Sequence, residues 1–221
     1  MLGLYDPKTV YSSIDGRGRY AFGNQPEILN WNMARLAECL LPLIDSNTDN
    51  AIEALEACLK TFQERFRKSY MEMLGRKLGL ESLKPEDDAF IVTLLDRMEE
   101  KDLDYTLTFD LITRSLNSAD AACSLKGDLG LCFDFWQKRI REEGRDPREV
   151  LSLMRRHNPV VIPRNHHMEA VIRECYETGR GSSAEAFLKA LRSPYVEIKE
   201  TCRYQDPPAD GDRGYRTFCG T

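Results

Sequence analysis

Ser13-Ile14-Asp15-Gly16-Arg17-Gly18-Arg19-Tyr20-Ala21-Phe22-Gly23-Asn24-Gln25-Pro26 runs directly into a helical pattern that continues through Trp31, Asn32, Arg35, Leu36, Leu40 and Leu43. Gly16, Gly18 and Gly23 make the first half a turn-rich loop, and Asp15, Arg17 and Arg19 make it polar. Pro26 suits the first turn of a helix, where a missing N–H costs nothing. Apolar side chains recur at Leu29, Met33, Leu36, Leu40 and Leu43, a spacing that lines one helical face. A polar loop is thus joined to a helix with one face to bury. Either the loop is held for a purpose, or it packs on a neighbour outside these residues.

The same periodicity organises the rest of the chain. Asp45 to Asn50 reads as a polar linker that supplies an N-cap. One long helix is expected next, with Ile52, Leu55, Leu59, Phe62, Phe66, Tyr70 and Met73 as a buried stripe and Gly79 near its end. Pro85 opens another helix, with Glu86, Asp87 and Asp88 at its positive end. Asp104 starts a further one through Phe109 and Ile112. Asn117 to Gly130 is the weakest-patterned stretch and is expected to be a loop. Two more helices lie around Phe135 and Trp136, and after the Asp146-Pro147 start signal. Pro159 and Pro163 forbid regular helix between them, and a helix resumes near His166 and closes at Gly179. A short one passes through Phe187 and Leu191, and Pro207-Pro208 begins an irregular tail. The expectation is an all-α chain of about eight helices: residues 1–25 a loop segment, 26–195 a helical domain, 196–221 a tail.

Composition narrows the function. With 31 Lys and Arg against 36 Asp and Glu, the chain carries a formal charge of -5. A nucleic-acid footprint needs a basic surplus on one face, so none is expected. No apolar run approaches the ~20 residues of a membrane span, and the first residues lack the basic-then-apolar pattern of a secretory leader. Seven cysteines, an odd number, favour a reducing compartment over a disulfide framework. No C-x-x-C pair occurs. His166 and His167 are adjacent, so on a helix they point about 100° apart, and no metal site is expected from them.

Several stretches, in order, resemble the selenoprotein O (SelO) family of pseudokinase-fold protein adenylyltransferases. They are Gly18 to Phe22, Asn24-Gln25-Pro26 and Trp31 to Glu38; Tyr70, Met73 and Lys77-Leu78-Gly79; Asp104-Tyr105-Thr106 with Phe109; Asn158-Pro159; Arg164-Asn165-His166; Ser193-Pro194-Tyr195; and Pro207-Pro208. The resemblance implies a parent nucleotidyltransferase that moves AMP from ATP, with magnesium, onto Ser, Thr or Tyr of protein substrates. It also implies that the kinase-like lobe lies N-terminal to this region. There a Lys–Glu pair and arginines hold ATP, and Thr-Asp-Asn and Asp-Tyr-Gly segments supply the base and metal ligands. Met1 to Pro7 corresponds to the stretch just after that Asp-Tyr-Gly, so this chain is expected to lack the catalytic residues. Phosphoryl-group chemistry needs positioned cations and Mg²⁺, so the chain by itself is expected to be inactive, with no cofactor of its own. The family setting implies an intracellular protein, cytoplasmic in bacteria and mitochondrial in eukaryotes.

The sequence departs from the family pattern in places. Pro163 stands where a Leu is usual, and His167-Met168 replaces a commoner Leu-Ala. Tyr11 stands where many bacterial members carry a cysteine. Asp15, Arg17 and Arg19 either face the nucleotide site of the lobe, or Arg19 and Asp15 form a local ion pair that fixes the loop. Asn165 reads as an N-cap. His157, His166 and His167 read as structural residues in the absence of a paired nucleophile. Cys219, third from the end, sits where SelO members place a selenocysteine or cysteine, which makes it a redox candidate on an accessible tail. Cys39, Cys58 and Cys175, in helices, are expected to be partly shielded.

Two functional readings remain open at this point. One is the C-terminal helical part of a SelO-like enzyme, partnered with its kinase-like lobe in cis, or in trans if split. The other is a free-standing helical interaction module. With the lobe missing, Tyr5, Tyr20, Phe22 and Trp31 are expected to be partly wet, with self-association, or marginal stability and a mobile N-terminus, as the result.

Overall fold

A computed structural model of the chain describes residues 3–209, 211 and 215. The described residues form two compact units, one within residues 7–72 and one of residues 3–6 with described residues from 73 onward. All described regular structure is helical, in eleven α-helices and one short 3-10 turn, which makes the protein all-α.

The smaller unit contains α1 (Gln25–Ile44), α2 (Thr48–Lys60) and most of α3 (Phe62–Lys77). Pro26 lies in the first turn of α1, and the Asn47 side chain caps α2 by accepting the Asp49 and Asn50 amides. The long helix expected from Ile52 to Gly79 is interrupted at Thr61. The Thr61 hydroxyl and amide both turn back to the Cys58 carbonyl, which closes α2 before α3 begins. The stripe expected as core is only half-buried. Phe62, Phe66 and Tyr70 stack on one another at centroid distances of 6.1 Å. On α1 only Ala37 is buried, while Leu29, Met33, Leu36 and Leu43 stay exposed.

The larger unit contains α4 (Pro85–Glu100), α5 (Tyr105–Arg114), α6 (Ala119–Leu129), α7 (Leu131–Glu143), α8 (Pro147–His157), α9 (Asn165–Thr178), α10 (Ser182–Leu191) and α11 (Lys199–Cys202). Its core includes Leu74, Leu78, Leu80, Ile91, Leu94, Met98, Phe109, Ile112, Leu125, Trp136, Val150 and Met154. The loop expected over Asn117 to Gly130 is helix α6. Ser118 caps it by accepting the Ala121 amide, and Ala121, Leu125 and Leu129 are buried on one face. Alanines at the start of that face weaken the apolar contrast that marks periodicity. Asp104 and Asp146 cap α5 and α8 as expected, and Gly179 ends α9 in the left-handed region. Val160 and Val161, in the non-helical run between the two prolines, are buried and donate their amides to Pro194 O. Val161 belongs to a second apolar cluster with Phe187, Ala190 and Tyr204.

Candidate functional site

The residues of the larger unit that carry the sequence signatures meet at two buried corners. The first closes the end of α3. A helix terminus leaves its last carbonyls without intrahelical partners. Here Asn158 Nδ2 donates to Lys77 O at 2.7 Å, and Trp136 Nε1 donates to Leu78 O at 2.9 Å. The same Asn158 nitrogen donates to Thr113 Oγ1 at 2.8 Å, so α5 and α8 are tied to the end of α3 through one side chain. Gly79 comes next with φ +81°, and a Cβ there would lie 2.8 Å from Val150 Cγ1 and 3.0 Å from Met154 Sδ. Only glycine admits both the backbone angle and the close approach of α8.

Lys77 is buried in this corner. Its ammonium donates to His157 O at 3.2 Å and lies 4.5 Å from the Phe109 ring centre and 5.3 Å from that of Tyr105. Burial lowers its pKa to about 8. Nothing in the sequence gives this lysine a role beyond its place in the family pattern.

The second corner joins Asp104 to Arg164. The guanidinium approaches the carboxylate end-on, with Nη1 to Oδ2 at 2.7 Å and Nη2 to Oδ1 at 3.1 Å, and both residues are buried. Asp104 Oδ1 also accepts the Leu107 amide at 2.8 Å, so one carboxylate caps α5 and neutralises Arg164. The N-terminal segment docks on this corner. Leu4 and Asp104 form an antiparallel bridge; the Tyr5 amide donates to Leu103 O and the Tyr105 amide to Gly3 O, each at 2.8 Å. Tyr5, expected to be wet, is buried and stacks on Tyr105 at 5.8 Å. Asn165, expected to be the N-cap, is the first residue of α9; Arg164 occupies the N-cap position and makes no side-chain capping bond.

A third buried group was not visible in the sequence. Arg139 bonds both oxygens of Asp87, at 2.9 to 3.1 Å, and also Glu143 and the Ser82 carbonyl. Asp87 Oδ2 also accepts the Lys84 amide at the start of α4.

In the smaller unit the glycine-rich loop holds itself. Asp15 Oδ1 and Oδ2 accept the amides of Arg19 and Tyr20 at 2.9 and 2.8 Å. Asn24 and Gln25 side chains donate to the carbonyls of Gly18 and Tyr20. The link between Asp15 and Arg19 runs through the Arg19 backbone. Its guanidinium lies 4.6 Å from the Trp31 ring centre, with Arg35 also near that ring at 5.5 Å. Arg17 is exposed. Tyr20 and Trp31 are about half exposed and Phe22 is partly buried.

Both Asp15 oxygens accept backbone amides, and the Arg19 guanidinium lies over Trp31. Among the described residues the grouping with metal-ligand geometry is His166, His167 and Asp206. That set holds two imidazoles, whereas magnesium prefers oxygen ligands. His166 and His167, in the first turn of α9, both place Nε2 near the Asp206 carboxylate, at 3.8 and 3.2 Å. Burial first, then the neighbouring His166, lowers the His167 pKa.

Cys39 and Cys58 are exposed and Cys175 is intermediate, so a helical position does not shield the first two. Cys202 is exposed as well. Cys219 lies outside the described residues.

The model of the family described as protein adenylyltransferase SelO matches residues 1–192. The chain belongs to the SelO family. It is similar to the protein nucleotidyltransferase YdiU of Teredinibacter turnerae, at 48% identity over 100% of this chain and 46% of that protein. The corresponding proteins of Alcanivorax borkumensis and Geobacillus kaustophilus are each 41% identical, over 98% and 100% of this chain and 45% of theirs. The chain therefore spans about half the length of the curated SelO relatives it matches. No described helix is long and apolar enough to cross a membrane.

Proposed function

We propose that this chain is the C-terminal helical part of a SelO-type protein adenylyltransferase, and that it braces the kinase-like lobe without contributing catalytic residues. One observation carries this reading: Gly3 to Tyr5 is clamped onto Leu103 to Tyr105 at the buried Asp104–Arg164 corner. In a complete family member that segment leads out of the lobe from the Asp-Tyr-Gly that holds the metal. Fixing its far end restrains the backbone that presents the metal ligand, and catalysis by positioning is sensitive to such restraint. The uncovered face of α1, with Leu29, Leu36 and Leu43 exposed, is the surface we assign to the lobe. Asp15, Arg17 and Arg19 then stand at the edge of that contact. ATP and magnesium belong to the lobe, and protein hydroxyls are the acceptors.

The test is reconstitution in trans. The N-terminal half of the Teredinibacter relative is purified and assayed for transfer of AMP from ATP to protein, with and without this chain. The chain alone should neither label protein nor bind Mg·ATP. Added to the lobe it should raise labelling, and the Leu36→Glu, Leu43→Glu double variant should not. Equal labelling with and without the chain would favour a free-standing interaction module. Cys219 completes the proposal as a redox group on the tail. Because Tyr11 replaces the usual partner cysteine, mild oxidation should join Cys219 to exposed Cys202 or to a second chain. Peptide mapping that finds Cys219 reduced while Cys39 or Cys58 is oxidised would remove that role.

A further inference from the structure

We propose that His166, His167 and Asp206 form a binding site for a divalent transition-metal ion, zinc being the fitting case, which fastens the segment after α11 to the start of α9. The site is independent of the brace reading and lies wholly within the larger unit.

Three donor side chains converge there. His167 Nε2 is 3.2 Å from Asp206 Oδ1, and His166 Nε2 is 3.8 Å from Asp206 Oδ2. One ligand atom from each residue can be chosen so that all lie within 4.8 Å of one another. A zinc ion with bonds of about 2.0–2.2 Å holds its ligand atoms roughly 3.3 Å apart, so a modest contraction closes the set. The two imidazole rings already lie 3.9 Å apart, tilted by 40°. The fourth position is left to water.

Three further observations point to a ligand. Both ring nitrogens of His166 are sealed from solvent, and neither has a hydrogen-bond partner among the described residues. Unpaired buried polar atoms are costly, and each needs a reason. A metal on Nε2 supplies one. Next, His167 is held by an aromatic wall, edge-on to Tyr204 at 5.3 Å and beside Phe187 at 6.3 Å, so its ring does not need to be ordered on binding. Last, Asp206 is the exposed member, its side chain two-thirds accessible, which gives an ion a way in. The donor set of two imidazoles and one carboxylate suits zinc and its first-row neighbours, and disfavours magnesium and calcium.

The consequence is a clip across 39 residues of chain, between His167 and Asp206. Tyr215 Oη, donating to Glu169 Oε1 at 2.8 Å, holds the tail to the same helix. A metal would therefore lock a tail that side-chain hydrogen bonds otherwise hold near α9.

The experiment is a titration of the 221-residue chain with zinc chloride by calorimetry, repeated with cobalt(II) and read in the visible. One zinc per chain is expected, with the d–d spectrum of four-coordinate cobalt and no thiolate-to-cobalt charge transfer. Asp206→Asn, which alters an exposed side chain, and His167→Gln should each weaken zinc at least tenfold, since even outer partners of a metal ligand are worth about 10–100-fold. Zinc should also slow tryptic cleavage after exposed Arg203 in the parent and not in Asp206→Asn. Absence of saturable binding overturns the proposal. So does binding that both variants leave unchanged, or a thiolate band, which would move the ion to the cysteines.

Discussion

Replacing Asp104 separates two jobs done by one carboxylate. It caps α5 through the Leu107 amide, and it is the bidentate partner of buried Arg164. Asparagine is as good a cap as aspartate, so Asp104→Asn removes the charge while keeping the cap. Removing one partner of a buried ion pair costs about 3–5 kcal/mol, because the other charge is left buried and uncompensated. Loss of a cap adds roughly 1 kcal/mol. Asp104→Asn should therefore cost about 3–5 kcal/mol and Asp104→Ala about 1 kcal/mol more. Arg164→Met leaves the carboxylate with the Leu107 amide and should cost less than Asp104→Asn. In the double variant Asp104→Asn, Arg164→Met no charge is stranded, so it should be more stable than Asp104→Asn alone.

Urea unfolding measures this directly. Trp136 lies in the core of the larger unit, and a Trp31→Phe background makes it the sole tryptophan reporter. The amide of Tyr5, which donates to Leu103 beside Asp104, should also exchange faster in Asp104→Asn. If the two single losses add to the double within about 0.5 kcal/mol, the residues do not share an interaction and the corner is not what holds the N-terminal segment. If Tyr5 exchange is unchanged while stability falls, the pair supports α5 and α9 only.

The geometry fixes three other outcomes. Lys77 has a folded pKa of about 8, below its ordinary 10.5, so between those values the unfolded chain holds the extra proton and stability rises with pH. Measured against Lys77→Met, the parent should gain about 2 kcal/mol from roughly pH 7.5 to 9.5; a flat difference would mean the ammonium is solvated. Gly79→Ala combines φ +81° with a 2.8 Å approach to Val150, and should lower the urea-unfolding free energy by more than the ~1 kcal/mol of a left-handed alanine alone; Gly127→Ala, where a Cβ meets nothing within 4 Å, is the control and should be neutral or better. Leu36→Glu, Leu43→Glu should dissociate any concentration-dependent oligomer of the isolated chain in sedimentation, whereas an unchanged profile would place self-association on another surface.

Local rules reached most of the helices and little of what joins them. Asn47, Asp104 and Asp146 announce helix starts because a cap acts within three residues of itself. The break at Thr61 escaped because a threonine that turns back to its own helix looks, in sequence, like one more polar position. Helix α6 escaped because alanine hides a face that leucine would reveal. The buried contacts lie further out of reach. Asp87–Arg139, Trp136–Leu78, Asp104–Arg164 and Asn158–Lys77 join residues 52, 58, 60 and 81 positions apart. No helical or strand period encodes such a pairing. Only the third dimension tells an exposed Asp from one that neutralises a buried Arg.

The adjacent histidines make the same point for sites. That His166 and His167 point about 100° apart is sound for two residues in the middle of a helix, with ligands approaching from outside. At the start of α9 the two rings nonetheless lie 3.9 Å apart and both approach Asp206, on the segment that returns to the helix. There a ligand needs to sit only where two side chains of different direction converge, and Asp206 comes from the tail to meet both. Spacing rules for metal sites thus carry a hidden premise about where on the helix the residues lie. His-His just inside an N-terminus, with an acidic residue on a segment that returns to it, is the pattern by which such a site is sought in sequence. Its decisive check in this protein is whether zinc binding survives the loss of Asp206, the one ligand that no helix periodicity places.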